Sequence, residues 1–313
     1  MKPFHFGVIG ITPTPTMQGW IDRVQHIEAL GYSTVHLTDH FDRSPVSPIP
    51  MIAALAAHTT SLTLGTLVID NDFRHPAVLA KEIATLDFIS GGRIEIGLGA
   101  GWMTLDYDVS GIVYEPAGVR ISKLGETLKI LDDVLRGGPT DFQGNYYNVS
   151  SLVSTPPPTM KPRPRLLVGG GGDRVLRLAA RYADVVSVNW NVGAGHAGVE
   201  AVRSGGLDET THKVQVIRSA AGDSFDDIEL HLVAYLAAIT SDVDAALGEL
   251  IAARGLELAP ADVIRSPHCL VGSPGEIVDR LIELRETLGF SYISVYDTVL
   301  EEFAPVVAAL AGR

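Results

Sequence analysis

Short apolar runs and helical stripes take turns along this chain. "FHFGVI" reads as a buried strand, after which Trp20, Ile21, Val24, Ile27 and Leu30 recur at helical spacing until Gly31 ends the stripe. "STVHLTD" predicts a second strand, a helix follows near 47–58, and "LTLGTLVI" predicts a third strand. Pro76 stands where the first turn of a helix needs no amide donor, and Leu79, Ile83 and Leu86 give that helix a buried face. "SGG" stops it before the alternating strand "RIEIGLG". Leu124, Leu128, Leu131 and Leu135 mark a long amphipathic helix. "PRLLVG", "DVVSVNW" and "IELHLVAYLAAI" are strands five to seven. Ile277, Leu281, Leu284 and Leu288 form another stripe, and "SYISVYD" is the eighth strand before a last helix. Eight strands alternating with helices over 313 residues predict an α/β protein, one (β/α)8 TIM barrel spanning 1–313.

Three connections are too long and too rich in Gly, Pro and polar residues for ordinary links: about 102–117, 138–164 and 190–212. The first and third follow strands four and six, on the face where barrel enzymes keep their sites. The second precedes strand five and belongs to the opposite face or the flank. No internal repeat interrupts the barrel.

Composition narrows the class. With 46% hydrophobic and 19% charged residues the chain can bury a sizeable core. A net charge of −13 argues against nucleic acid or anionic membrane as partners. Pro13 and Pro15 break the N-terminal stretch before a signal-peptide core could form, and no run of 18 apolar residues occurs. The lone Cys269 excludes an intramolecular disulfide and fits a reducing compartment. The expectation is a soluble cytoplasmic protein acting on a small molecule, with apolar helix faces that permit a homodimer. No metal site is expected, since Cys269 has only His268 beside it, and no nucleophile elbow occurs near a strand end.

Candidate chemistry gathers at the C-terminal strand ends. "GGGGDR" lacks the dinucleotide spacing, yet Gly169, Gly170, Gly171 and Gly172 would let backbone amides approach an anion at the start of the next helix. Arg174 could add a charge-assisted contact; the plainer reading is a tight turn with Asp173 as N-cap. Asp39 and His40 end strand two, where an imidazole beside a carboxylate suits proton transfer near neutral pH, or else a helix cap and a structural hydrogen bond. Asn189, Trp190 and Asn191 end strand six and could reach a substrate. Glu229 and His231 alternate on strand seven and read as a buried pair satisfying itself.

"GYSTVHLTDHF", "LGTLVIDNDFRHPAVLAKEIATLDFISGGRIEIGLGAGW" and "LLVGGGGDRVLRLAARYADVVSV" together resemble the luciferase-like monooxygenase superfamily, and most closely its branch dependent on coenzyme F420. The resemblance runs over nearly the whole chain. It implies a bacterial-luciferase-like barrel holding a deazaflavin, or alternatively FMN, at the C-terminal face, with the phosphate at the glycine run. It also implies that His40 faces cofactor and substrate, that Asp39 lies near the cofactor, and that Leu67 and Val68 form a cis-bonded bulge behind the ring. Gly99 and Gly101 of "GLGAGW" would let backbone approach the ring, with Trp102 walling the pocket. Some F420-dependent sugar and alcohol dehydrogenases carry a catalytic glutamate at the position of Trp102, and an indole cannot replace that acid. The F420 tail would call for basic residues at the mouth, with Arg43, Arg74 and Arg174 as candidates. Three activities stay open: F420-dependent hydride transfer, FMN-dependent monooxygenation, and ligand binding without catalysis.

Overall fold

Each of the eight apolar runs supplies a barrel strand in the computed structural model, which describes residues 1–313. Strands one to four are His5–Ile9, Thr34–Leu37, Thr63–Asp70 and Ile94–Gly99. Strands five to eight are Arg165–Gly170, Val185–Val188, Glu229–Val233 and Phe290–Tyr296. All pair in parallel in chain order, and strand eight closes onto strand one with Tyr292 beside His5. Asp39 and His40 therefore stand just past the end of strand two, and Asn189 and Trp190 just past strand six.

The helical stripes pack on the outside of this barrel. Thr16 caps the helix Met17–Ala29 by accepting from the Gly19 amide, and the helix buries Trp20, Ile21, Val24 and Ile27. Ser273 and Glu276 form a capping box at the start of Pro274–Leu288, which turns Ile277, Leu281, Leu284 and Leu288 inward. The helix Ala117–Arg136 buries Leu124, Leu128, Leu131 and Leu135, each fully shielded from solvent. Truncating any of these leucines to alanine should cost about 2–5 kcal/mol.

Two expectations need correction and a third gains detail. The run "IELHLVAYLAAI" is two strands: only Glu229–Val233 joins the barrel, and Leu236–Ile239 leaves it to pair with Cys269–Gly272, a strand absent from the sequence reading. Tyr235 marks the break, and the second half roofs a separate core of Trp190, Ala201, Leu236, Leu247, Ile251 and Cys269. The stretch 138–164 contains an antiparallel hairpin, Thr140–Gln143 with Asn148–Leu152, and is tied to the flanking helix Pro76–Ser90, where Asp87 accepts from the Met160 amide at 3.1 Å. Glu229 and His231 do not pair with each other. Two residues apart on one strand, they sit in successive layers: Glu229 contacts His5 and Arg165 at the N-terminal end, whereas His231 reaches Ser187 and Ser294 higher up.

Candidate active site

The site is assembled from the C-terminal ends of strands two to six and the connections that follow them. Neighbouring side chains at the end of strand two diverge, so Asp39 and His40 take different partners. Asp39 is held by Arg74 in a two-pronged ion pair, with Nη2 at 3.2 Å from Oδ1. It also accepts from the Asp70 amide at 3.3 Å. His40 turns instead to Asp106, its Nδ1 lying 2.6 Å from Oδ2, while the other carboxylate oxygen accepts from the Phe41 amide at 2.9 Å. The carboxylate beside the histidine is thus Asp106 and not Asp39.

The geometry of this dyad favours proton transfer. Asp106 is buried and fixes the imidazole with Nδ1–H toward itself, which leaves Nε2 as the free ring nitrogen. The Ser44 hydroxyl accepts from the His40 amide at 2.9 Å and pins the loop. Trp102 meets the imidazole edge-on, with ring centroids 5.8 Å apart. Asp106 lies on Thr104–Ser110, a short helix inside the stretch 102–117 that the sequence presents only as an irregular connection. Nothing in its spacing marks it, because its partner is 66 positions away.

A second acidic group sits beneath. Asp70 ends strand three, is 8% exposed, and burial pushes its carboxyl up to about 7, against the lowering effect of the hydrogen bond it accepts from the Asp72 amide. Tyr107 donates to both Asp70 oxygens, at 3.0 and 3.2 Å, and holds them against Gly101. A Cβ at Gly101 would fall 1.9 Å from the Tyr107 hydroxyl, and its φ of +74° suits only glycine.

The expected bulge is present: the Leu67–Val68 bond is cis, and the pairing of strands three and four shifts register between Thr66 and Ile69. Val68 lies across the ends of strands four and five, where a Cβ would come within 2.6 Å of it at Gly99 and 3.1 Å at Gly169. The Val68 side chain thus packs over both glycines, and neither position has room for a side chain without a shift.

The glycine run divides its work. A Cβ at Gly170 would strike Val175 at 2.5 Å, and one at Gly171 the Trp190 carbonyl oxygen at 2.2 Å, so close packing within the chain requires both. Only Gly172 faces open space. Gly172, and not Asp173, is the N-cap of the helix Asp173–Tyr182; no side chain caps that end, and its first amides are free to bind an anion. Arg174 is directed to the Gly118 carbonyl at 2.9 Å and the Ser122 hydroxyl at 2.7 Å, joining two helix starts. With Arg74 held by Asp39, Arg43 is the one of the three basic candidates without a carboxylate or carbonyl partner. It lines a cavity of about 180 Å³ together with Gly10, Ile11, Trp20, His36 and Thr38.

At the end of strand six, Asn189 accepts from the Tyr235 hydroxyl at 3.0 Å and donates to the Ser187 hydroxyl at 3.2 Å. Its side-chain nitrogen would be 3.3 Å from a Cβ at Gly169, which places it beside the valine surface. Trp190 is 7% exposed and stacks on Tyr235 at 4.2 Å inside the separate core. Lys213 fixes this strand end by donating to the Asn189 and Ser204 carbonyls, and burial lowers its ammonium to about 8. The sequence reading missed Lys213 and Asp70, as it missed Asp106. No group of three or more metal-ligating side chains occurs.

Comparison with known proteins bears on the family and the fold. An F420-dependent glucose-6-phosphate dehydrogenase from Microbacterium testaceum (strain StLB037) is 30% identical over 165 residues, covering 50% of this chain and 48% of that protein. An uncharacterized protein of Mycobacterium bovis is 32% identical over 183 residues, 58% of this chain and 57% of its own length. The chain thus spans about half the length of the curated relatives it matches. The coenzyme F420 dependent tetrahydromethanopterin reductase from Methanopyrus kandleri shares the fold, with a TM-score of 0.77 at 20% identity over 99% of this chain and 98% of that one. EDTA monooxygenase from a Chelativorans species superimposes with a TM-score of 0.75 at 15% identity, over 98% and 94% of the two chains. A family model described as luciferase-like monooxygenase matches residues 1–292, and the chain belongs to that family.

Proposed function

We propose that the chain is an F420-dependent oxidoreductase that moves a hydride between the deazaflavin and a small organic substrate. The observation that carries this reading is the His40–Asp106 dyad at the barrel mouth, 2.6 Å between nitrogen and oxygen with Nε2 free. The F420-dependent relatives support the choice of cofactor. The residues present fit such a group: the valine surface over Gly99 and Gly169 suits a planar ring, and Gly172 with the uncapped helix start suits its phosphate. When bound, the deazaflavin supplies the hydride-carrying carbon. His40 then gives or takes the accompanying proton at Nε2, and Asp106 keeps the ring in the one tautomer that can do so. Trp102, edge-on to the imidazole, walls one side of that ring. Trp102 stands where a sugar-oxidising relative would need an acid, so the glucose-6-phosphate chemistry is not carried over.

The test is a titration of purified protein with F420 and with FMN, followed by a substrate screen with the preferred cofactor. Micromolar binding of F420 and much weaker FMN binding is the expected result. Preference for FMN would overturn the reading in favour of flavin monooxygenation.

A further inference from the structure

The inside of this barrel is unusual for its architecture. Barrel interiors are ordinarily layers of Val, Ile and Leu, yet here the middle layer holds His36, His231, Ser187, Ser294 and Tyr292, all buried. Buried polar groups are costly unless each is hydrogen-bonded, and an apolar layer would fill the space without that demand.

The hydrogen bonds run from Ser187 to Glu95 with one branch, at His36, whose Nε2 also lies 3.3 Å from the Tyr292 hydroxyl. Ser187 Oγ lies 2.8 Å from His231 Nδ1, and His231 Nε2 lies 2.9 Å from Ser294 Oγ. Ser294 Oγ is 3.4 Å from His36 Nδ1, and His36 Nε2 is 3.2 Å from Glu95 Oε1. Glu95, as a carboxylate, only accepts, so with one proton on each ring His36 donates from Nε2 and takes from Ser294 through Nδ1. His231 repeats the pattern: Ser187 donates to Nδ1, and Nε2 donates to Ser294. Every donor points the same way, toward Glu95. Asn189, beside the proposed ring surface, donates to Ser187 at the upper end. At the lower end Arg165 Nε lies 3.2 Å from Glu95 Oε2 with a third of its side chain exposed, and it bridges to Glu229, which His5 also contacts.

We propose that Ser187, His231, Ser294, His36 and Glu95 form a proton relay through the barrel, connecting the cofactor mouth to the opposite face. The proposal rests on the hydride-transfer reading for its purpose: His40 handles the substrate's proton, and the relay would serve the separate proton that the deazaflavin ring gains or loses together with the hydride. In one passage Ser187 gives its proton to His231 Nδ1, His231 releases the one on Nε2 to Ser294, Ser294 passes its own to His36 Nδ1, and His36 releases its Nε2 proton to Glu95. One proton enters at Ser187 from water at the mouth, since the Asn189 amide cannot release one, and one ends on the Glu95 carboxyl, which gives it to water at the opposite face because Arg165 cannot accept it; no electron moves, and the reverse passage restores both tautomers. Burial, with His36 and His268 nearby, holds the His231 imidazole well below its ordinary value, so the ring stays neutral and able to accept and donate at once. Tyr292 also donates to Glu95, at 3.1 Å, and Arg165 faces its other oxygen.

The experiment is hydrogen exchange at the His231 imidazole N–H, read by nitrogen-15 NMR in the cofactor-free protein. With the ring wholly inaccessible to solvent, a merely structural network would exchange only when the barrel opens, at the pace of the neighbouring Leu232 and Ile96 amides. A relay exchanges on the order of tenfold faster or more than those amides. Glu95→Gln, which keeps shape and acceptor but cannot take the proton, and Ser294→Ala, which cuts the line, should each slow the imidazole toward the amide rate while leaving the amides unchanged. Exchange no faster than the amides in the unaltered protein, or unaltered imidazole exchange in Glu95→Gln, overturns the relay. Because no cofactor is present, its failure is separate from failure of the F420 titration.

Discussion

Single side chains decide the chemistry at the mouth. Replacing His40 by asparagine should lower turnover roughly 10²–10⁴-fold with cofactor affinity nearly unchanged, as steady-state kinetics and titration would show. Asp106→Asn should lower kcat in the same direction, because the amide no longer selects the Nδ1–H tautomer. An unchanged kcat in either variant would remove the dyad from the mechanism. Asp70 makes a prediction about stability. Its folded-state value of about 7 lies above the 3.8 of an ordinary aspartate, so the folded protein keeps a proton that the unfolded chain releases. Its contribution is therefore fully present below the unfolded value and is lost as pH rises toward 7. Asp70→Asn should remove that loss, so urea midpoints of the variant should gain on the unaltered protein between about pH 4 and about pH 7. The position of Asp39 and His40 at the barrel mouth was legible in the sequence because they follow a strand, but their partners were not. Arg74 and Asp106 lie 35 and 66 positions away, and only the closed barrel brings them near.

The connection after strand four acts as one piece. Arg120, buried, donates to the Ala100 and Gly101 carbonyls at 3.2 and 3.3 Å and stacks on Tyr114 at 4.0 Å. It ties the start and end of the stretch that carries Asp106. Arg120→Met should raise amide exchange across 102–116 while leaving strands one and eight protected, and uniform loosening of the barrel would contradict this. Strand positions could be read from their apolar runs because barrel strands are buried on both faces. The broken seventh strand could not. "VAYLAAI" has the same composition on both sides of Tyr235, and the departure is set by Cys269–Gly272, a distant partner that offers a second sheet.

Taken together, the fold and its loops divide labour between a barrel that could be anticipated and a rim that could not. Periodicity reports which face of an element is covered, and the eight units followed from that alone. The rim depends on contacts between connections, such as Gly195 accepting from the Thr104 amide at 3.4 Å, which leave no periodic trace. Ligand binding at this rim should register in global stability. F420 at a hundredfold excess over its Kd should stabilise the fold by about 2.7 kcal/mol, read as a shift in Tm, with FMN at the same concentration giving much less.

The small sheet that leaves the barrel carries the chain's only sulfhydryl. Cys269 is 4% exposed and burial pushes its thiol up to about 12, so a reagent such as a disulfide dye meets neither surface nor thiolate while the outer core is shut. The molecule therefore contains its own clock: the rate at which Cys269 is labelled counts the openings of the rim against the barrel that supports it.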